Sequence, residues 1–223
     1  MTMSKKSKMI VRTKFVDRAC HWTVVISFFL VALSGIALFF PTLKWLTETF
    51  GTPQMGRILH PFFGVLIFVV LMFMFVRFVK HNIPDRKDVP WILNIVEVLK
   101  GNEHNVADVG KYNAGQKMMF WSIMSMIFVL LITGIIMWRP YFAHLFPMWM
   151  VRWSILVHAL AAIILIHAIL IHMYMAFWVK GSIDGMIEGK VSRRWAKKHH
   201  PRWYREVEAE EAKAEAKAEV EKS

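Results

Sequence analysis

The chain has 223 residues, 56% of them hydrophobic, and combines a mean hydropathy of +0.40 with a formal net charge of +12, a pairing that an ordinary soluble core does not need. Lysine and arginine fall in blocks between long apolar runs, so a membrane surface explains the basic excess better than nucleic acid does. A single cysteine, Cys20, excludes an internal disulfide and a cysteine-rich metal site.

Four apolar runs follow one another along the chain, each near or above the roughly twenty residues that a spanning helix requires. They cover residues 20–40, 58–79, 118–138 and 153–179. The first follows a basic start that resembles a signal peptide, but its length and the apolar sequence after Ser34-Gly35 favour a retained helix. The sequence therefore predicts an all-α, integral membrane four-helix bundle over residues 20–180, between an N-terminal segment 1–19 and a C-terminal segment 181–223.

Lysine and arginine are unequally distributed among the segments that lie outside the runs or at their ends. Six precede the first run, seven lie from Arg77 to Lys117 and eleven follow the fourth run, whereas the other two connections carry two each. The positive-inside rule therefore predicts that both termini and the loop 81–117 are cytoplasmic. The two short connections are then on the outer side of the membrane.

The segments outside the runs predict contact with the membrane surface. Residues 89–99 are amphipathic and predict a short interfacial helix. Residues 193–205 are basic and aromatic together, which suits anionic lipid headgroups, with cardiolipin as one candidate, or docking on a partner subunit. From Glu206 onward the sequence is rich in Ala, Glu and Lys without an apolar face, which predicts a solvated tail.

Histidines at membrane depth carry the chemical signal, because an imidazole ring in hydrocarbon is costly unless it has a partner or binds a ligand. The fourth run contains His158, His167 and His172. The step of 14 residues from His158 to His172 is close to four helical turns, so these two rings share a face and lie about 21 Å apart along the helix. That spacing leaves room for two stacked haems near opposite sides of the hydrocarbon layer.

The predicted topology indicates the second axial ligand of each haem iron. His60 opens the second run at the outer side, where the fourth run begins with His158. His21 opens the first run at the inner side, where His172 lies. We therefore predict an outer haem between His60 and His158 and an inner haem between His21 and His172. Iron with two imidazole ligands is closed to small molecules and passes single electrons.

Other residues have less specific interpretations. His167 lies on the opposite side of its helix, which favours a packed or hydrogen-bonded ring facing other helices. The sixteen methionines are best explained as flexible apolar filler. The remaining histidines fall in loops or at span ends, where solvated or interfacial roles suffice: His81, His104, His144, His199 and His200.

Small residues in the runs and two basic residues directly before runs allow two interpretations each. The glycines permit the close approach of a porphyrin or of another helix, and the arginines near the outer histidines suit a haem propionate or a lipid headgroup. These residues are Gly35, Gly64, Gly134, Arg57 and Arg152. The residues alone do not decide between the interpretations.

Five segments resemble the cytochrome b556 gamma subunits of membrane-bound, nitrate-inducible formate dehydrogenases, and the match runs from about Met9 to Tyr204. They are DRACHW at 17–22, GTPQMGRILHP at 51–61, DVGKYNAGQK at 108–117, WRPYF at 138–142 and KKHHPRWY at 197–204. The resemblance implies two haems b on the four histidines already paired. It also implies a menaquinone site beside the inner haem, formed by Asn113, Ala114, Gly115, Gln116 and His172.

The resemblance further implies a role and partners. A catalytic alpha subunit with molybdenum or tungsten oxidises formate in the periplasm, and an iron-sulfur beta subunit passes electrons to the outer haem of this chain. Menaquinone is reduced at the cytoplasmic side, which contributes to a proton-motive force. The three-subunit complex is expected to form a multimer in the bacterial inner membrane.

Alternatives remain open. From the residues alone, the segment from Tyr112 to Gln116 is better explained as a polar turn that caps the third spanning helix. Within the same class, the chain is compatible with the cytochrome b of a membrane hydrogenase or thiosulfate reductase. From another class, it is compatible with a non-haem anchor or transporter whose histidines relay protons.

Overall fold

The computed structural model describes residues 8–100 and 108–221, so His104 lies outside the described residues. Two compact units are present. We call residues 15–78 and 119–178 the bundle unit, and the described parts of 8–14, 79–118 and 179–221 the loop unit.

Helices account for most of the described chain. In chain order they are α1 (Phe15–Phe39), α2 (Pro53–Asn82), α3 (Val89–Leu93), α4 (Ile95–Leu99), α5 (Ala114–Met137), α6 (Met148–Trp178), α7 (Asp184–Ile187), α8 (Arg193–His199) and α9 (Pro201–Val220). Four of these, α1, α2, α5 and α6, are long and apolar enough to cross a membrane, which confirms the predicted all-α membrane bundle. Many of their large apolar side chains are exposed, as expected for helices that face lipid.

Proline and glycine residues determine the conformation of the connection between α1 and α2. A proline at position 41 opens a 3-10 segment, Pro41–Phe50, directly after α1. Gly51 has φ 88°, a left-handed conformation that suits glycine and ends this segment. α2 then starts five residues before the predicted run, at Pro53, and the Thr52 hydroxyl accepts a hydrogen bond from the Met55 amide at 3.2 Å.

The centre of the bundle unit is a cluster of buried apolar side chains. Its members are Ile67, Leu71, Met124, Ile127 and Leu165. Leu165 lies midway in sequence between His158 and His172, so the cluster occupies the level between those two histidines. A dense apolar layer therefore separates the two ends of the unit.

An ion pair joins α1 to α2 near one end of the bundle unit. Arg77 Nε lies 2.5 Å from an Asp17 carboxylate oxygen, and Asp17 is only 5% exposed. Asp17 precedes His21 by one helical turn and therefore lies on the same face of α1. The pair fixes the two helices beside that histidine.

The loop unit contains a two-stranded antiparallel sheet that the sequence analysis did not predict. Strand β1 (Met9–Val11) pairs with β2 (Lys190–Ser192), with Ile10 opposite Val191. Ile10 and Val191 pack with Ala196 and Trp203 in a small buried core. The chain remains all-α in class, but its first and last segments are joined by backbone hydrogen bonds.

A buried cation lies among aromatic rings of the loop unit. The Arg12 guanidinium stands 4.4 Å from the Trp203 ring centre and 5.4 Å from that of Tyr112, and it donates a hydrogen bond to the Lys111 carbonyl. Desolvation lowers the pKa of Arg12 to about 10, while Tyr112 raises it. Arg12 therefore keeps its charge at neutral pH.

His200 is buried against this cation, contrary to the solvated or interfacial role predicted from its position. Its side chain is 2% exposed, and its Nδ1 lies 2.8 Å from the Gly110 carbonyl oxygen. Its Nε2 lies 3.5 Å from Arg12 Nη2. Burial, and then the charge of Arg12, lower the pKa of His200 to about 3, so the ring is neutral in the folded state.

Acidification is expected to destabilise the loop unit through His200. The unfolded chain binds a proton near pH 6.5, whereas the folded state resists protonation until about pH 3, so stability present above pH 6.5 is lost as the pH falls between these values. Thermal unfolding followed by tryptophan fluorescence checks this, since Trp203 lies beside His200. His200→Asn should be less stable at pH 7 and show a shallower pH dependence.

The matched control is His144→Asn, because His144 is an exposed histidine of the other unit. It should keep the pH dependence of the wild type. Equal slopes for wild type and His200→Asn between pH 6.5 and pH 3 would show that His200 is not the group responsible.

Candidate functional site

Four histidines of the bundle unit form two pairs of facing rings. The ring centroids of His21 on α1 and His172 on α6 are 6.4 Å apart, with an angle of 61° between the ring planes. Those of His60 on α2 and His158 on α6 are also 6.4 Å apart, with an angle of 54°. The structure therefore brings together the same rings that the sequence analysis paired, and α6 contributes one ring to each pair.

The ring separation matches that of two imidazoles on opposite sides of one metal ion. A metal–imidazole bond is about 2.0 Å long and the ring centre lies roughly 1.1 Å behind the nitrogen, so such rings have centroids about 6 Å apart. Tilted rings in direct contact also have centroids about 4.5–7 Å apart, so the feature that distinguishes these pairs is that both show the same 6.4 Å. The two pairs thus share one geometry at two levels of α6.

The protein supplies two imidazole rings at each pair. Among residues 8–100 and 108–221, no group of three or more His, Cys, Asp or Glu side chains has the arrangement of a metal site. A metal held by two imidazoles alone would need its remaining ligands from a bound group. A planar macrocycle with four nitrogens, as in haem, meets that requirement, and the donor set of two histidines fits it.

Hydroxyl groups support one of the pairs. The Ser34 Oγ lies 2.9 Å from His60 Nδ1, and the Thr133 Oγ1 lies 2.9 Å from His158 Nδ1. Ser34 is on α1 and Thr133 on α5, so each hydroxyl reaches a histidine on the following spanning helix. Sequence reasoning missed both residues. The available signal was a hydroxyl residue directly before Gly35 and before Gly134.

The two glycines that follow these hydroxyl residues contact the same rings. A methyl group at Gly35 would lie 3.1 Å from His60 Cε1, and one at Gly134 would lie 3.4 Å from His158 Cε1. Close approach of the His60 ring therefore explains Gly35, whereas an alanine at position 134 would be in ordinary van der Waals contact with the His158 ring. Gly64 differs, because a methyl group there would meet no protein atom within 4 Å. Since Gly64 is one helical turn from His60, this open space lies on the His60 face of α2.

The second pair has an unsatisfied ring nitrogen. His21 Nδ1 is buried and has no hydrogen-bond partner among the described residues. His21, His60 and His158 are half-buried, and His172 is exposed in the chain alone. A buried polar atom without a partner, next to accessible ring surface, fits a site that binds a further group.

His167 and the two arginines are placed outside the pairs. The His167 Nδ1 lies 2.8 Å from the Ile163 carbonyl oxygen of its own helix. The ring is hydrogen-bonded, but it lies on the exposed side of α6 instead of facing other helices. Arg57 and Arg152 are exposed, and both of their interpretations stand.

The segment expected to bind quinone forms a helix cap in the loop unit. The Asn113 side-chain oxygen accepts from the Gln116 amide at 2.8 Å, and the Gln116 side-chain oxygen accepts from the Asn113 amide at 3.0 Å. These reciprocal bonds cap α5, as the residue-based alternative predicted. A methyl group at Gly115 would lie 2.7 Å from the Trp91 ring, so this position requires glycine. Its use with His172 stays a prediction.

The predicted interfacial helix is broken into two short helices, α3 and α4, at Asn94. Trp91 and Val98 are buried with Ala114. Nearby, Lys117 Nζ forms an ion pair with an Asp88 oxygen at 2.8 Å, and both side chains are largely buried. The amphipathic stretch therefore covers the start of α5 within the loop unit.

The loop unit also contains a polar cavity of about 340 Å³. Basic side chains dominate its lining, and acidic ones stand beside some of them: Lys80, Lys87, Lys111, Lys117, Arg202, Asp85 and Glu206. Arg202 lies 3.6 Å from Asp85, and the Lys87 amide helps lower the pKa of Asp85. The cavity therefore has charges of both signs.

Residues 12–189 match the family described as prokaryotic cytochrome b561. Together with the four apolar helices, this makes the chain a multi-pass protein of the bacterial inner membrane. The match includes all four paired histidines.

Three relatives cover nearly the whole chain. The cytochrome b556(Fdn) subunit of the nitrate-inducible formate dehydrogenase of Escherichia coli strain K12 is 85% identical over 211 residues, 95% of this chain and 97% of that subunit. A formate dehydrogenase cytochrome b556 subunit of Haemophilus influenzae is 53% identical over 88% of this chain and 83% of its own length. The cytochrome b556(fdo) subunit of the formate dehydrogenase of E. coli K12 is 46% identical over 95% of this chain and 100% of its own length.

Substitution of Gly64 tests whether the open space beside His60 holds a bound group. In the chain alone, Gly64→Ala meets no atom and should stabilise α2 by about 1 kcal/mol through helix propensity. If a haem occupies the space, the same change should lower the haem content of the purified protein. We expect a lower ratio of haem to protein in the visible absorption spectrum.

Gly56→Ala provides the comparison, since Gly56 lies on the same helix but a methyl group there would lie 3.3 Å from Thr47 Cβ and would therefore not enter the open space. It is expected to affect packing of the 3-10 segment without a selective loss of haem. A Gly64→Ala protein with unchanged haem content and raised thermal stability would argue that no group fills this space.

Proposed function

The chain belongs to the prokaryotic cytochrome b561 family, and on that premise we propose that it carries two haems b, one between His21 and His172 and one between His60 and His158. The observation that carries this proposal is the equal centroid separation of 6.4 Å in the two pairs. The family name implies haem b, and two equivalent pairs of rings support two haems in place of one.

Haem b held by two imidazoles supplies reversible one-electron transfer at an iron that is closed to small ligands. The protein's own contribution is to hold the rings and to exclude water. α6 fixes His158 and His172 about 21 Å apart along its axis. The buried cluster around Leu165 fills the level between them with apolar side chains. This arrangement suits electron transfer along the bundle and opposes a proton path through its centre.

We propose that the chain serves as the cytochrome b subunit of a formate dehydrogenase. Support comes from three relatives with that name, of which one is 85% identical over nearly the whole of both chains. Formate oxidation itself belongs to another subunit, with an iron-sulfur subunit between the two. The described residues of this chain contain no cluster of three metal-ligating side chains that would carry it.

The proposed direction of electron transfer is from the periplasmic to the cytoplasmic side. This direction depends on the orientation of the chain, which the distribution of lysine and arginine supports, because the termini and the loop 81–117 carry most of the positive charge. Electrons would enter on the side of His60 and His158 and leave near His21 and His172. Oxidation of formate outside and uptake of protons by menaquinone inside would together build a proton-motive force.

For the quinone, we propose that the amide groups of Asn113 and Gln116 act as hydrogen-bond donors. Their side-chain oxygens are used in the helix cap, and each NH₂ group has two further donors. An amide N–H suits a quinone carbonyl, which only accepts. The family resemblance adds His172 to this site.

The basic surface of the loop unit supports a further proposal, contact with anionic lipid such as cardiolipin. Lys80 and Lys87 line the polar cavity, and Lys197 and Lys198 are exposed at the end of α8. Positive side chains next to a membrane helix attract anionic headgroups.

Removal of His172 is expected to halve the haem content. Pyridine haemochrome analysis of the purified wild-type chain should give two haems b, and His172→Ala should give one, because the His21 pair loses a ligand. Quinone reduction by the formate dehydrogenase complex should stop in the same variant. His167→Ala is the matched control, since His167 is on the same helix but bonds only its own backbone in the described structure.

His158→Ala should remove the other haem and keep the one at His21. A wild-type chain with well under two haems b, or a His172→Ala chain with both haems and normal spectra, would contradict the assignment. Formate-dependent reduction of the haems in the co-purified complex distinguishes a formate dehydrogenase from a hydrogenase or thiosulfate reductase.

A further inference from the structure

Ser34 and Thr133 occupy equivalent positions in the two halves of the bundle unit. Each precedes a glycine at which a methyl group would lie within 3.4 Å of a histidine ring, and each places its hydroxyl oxygen 2.9 Å from the Nδ1 of that ring. Ser34 stands 26 residues before His60, and Thr133 stands 25 residues before His158. The same local arrangement, a hydroxyl residue followed by a glycine, therefore holds both rings of one pair.

The proton of each hydroxyl is already used in its own helix. The Ser34 Oγ donates to the Leu30 carbonyl at 2.8 Å, and the Thr133 Oγ1 donates to the Val129 carbonyl at 2.7 Å. A hydroxyl has one proton, so in this arrangement, with the proton on the carbonyl, its oxygen accepts from the histidine. The ring nitrogen that faces it must therefore donate, which requires a proton on Nδ1.

Backbone carbonyls support the same assignment. The Val31 carbonyl oxygen lies 3.1 Å from Ser34 Oγ, and the Leu130 carbonyl oxygen lies 3.3 Å from Thr133 Oγ1, so each hydroxyl has a second backbone acceptor for its proton. A carbonyl oxygen never donates. With its proton on a backbone carbonyl, the hydroxyl beside each Nδ1 favours the neutral tautomer in which the lone pair is on Nε2.

A metal can bind Nε2 only when that nitrogen has its lone pair free, as it does in this tautomer. A hydrogen bond from Nδ1–H to an oxygen also makes the imidazole more basic, so that it stabilises the oxidised metal relative to the reduced one. Burial keeps the hydroxyls from being readily replaced by water, since Ser34 is 0% exposed and Thr133 is 7% exposed.

We propose that Ser34 and Thr133 are positioning residues, which hold His60 and His158 in the Nδ1-protonated tautomer and thereby lower the reduction potential of the iron between them. This inference rests on the proposed function, since it requires haem at the His60 and His158 pair. Two residues that are not haem ligands, a serine and a threonine, would then control the reduction potential of one of the two haems.

The test is an optical redox titration of the full-length purified protein with its haems. Ser34→Ala and Thr133→Val remove the hydroxyls with little change in volume. In each variant, the potential of one haem should become more positive and that of the other should stay at the wild-type value. Ser34→Thr and Thr133→Ser keep a hydroxyl and should restore the wild-type potential.

Ser27→Ala is the matched control. Ser27 is 3% exposed and lies two helical turns before Ser34 on α1. Removal of this buried hydroxyl should leave both potentials unchanged. The double variant Ser34→Ala/Thr133→Val should shift the same haem further than either single variant does.

The outcomes separate this inference from the proposed function. Unchanged potentials in Ser34→Ala and Thr133→Val proteins that keep two haems would overturn the inference and leave the proposed function intact. Wild-type protein without haem would instead overturn the proposed function. If Thr133→Val loses haem, retention of haem by Thr133→Ser supports a role for the hydroxyl, whereas loss in both variants shows that side-chain shape is what matters and overturns the inference.

Discussion

The structure depends on the pairing of imidazole rings between helices that are otherwise apolar. A histidine in hydrocarbon is costly unless its ring nitrogens are satisfied, and here four such rings face one another in two pairs with the same separation of 6.4 Å. α6 takes part in both pairs, while α1 and α2 each supply one partner. Iron at each pair would therefore connect three of the four spanning helices, which makes cofactor binding part of the stability of the bundle.

The apolar layer between the pairs determines what the bundle can conduct. Leu165 is half-way between His158 and His172, and it packs with Ile67, Leu71, Met124 and Ile127. A layer of this kind excludes water and offers no chain of titratable groups for protons. In the proposed function, charge would then cross as electrons, and protons would be taken up at the membrane surface where a quinone is reduced. The polar chemistry of the chain is correspondingly concentrated in the loop unit.

The sequence was sufficient for features that depend on local periodicity and failed for those that depend on distant partners. Apolar length identified the four spanning helices, and helical spacing placed His158 and His172 on one face. The pairing of Ile10 with Val191 and the burial of His200 beside Arg12 join segments about 180 residues apart, for which one sequence carries no signal.

Ser34 and Thr133 looked like ordinary polar residues of spanning helices, because their hydroxyls bond their own backbone as well as a ring. The exposure of His167 was not predicted, because helical spacing shows on which side of α6 the residue lies but does not show whether another helix packs against that side. Membrane orientation, the haem ligands and the quinone site stay predictions.

The most direct test of this account is an experimental density map of the purified, haem-containing protein at a resolution that shows the porphyrin rings. The account predicts planar density between His21 and His172 and between His60 and His158, with each iron bonded to one nitrogen of both rings. Density for a haem bound to any other side chain, or protein atoms filling the space between the rings of either pair, would contradict it.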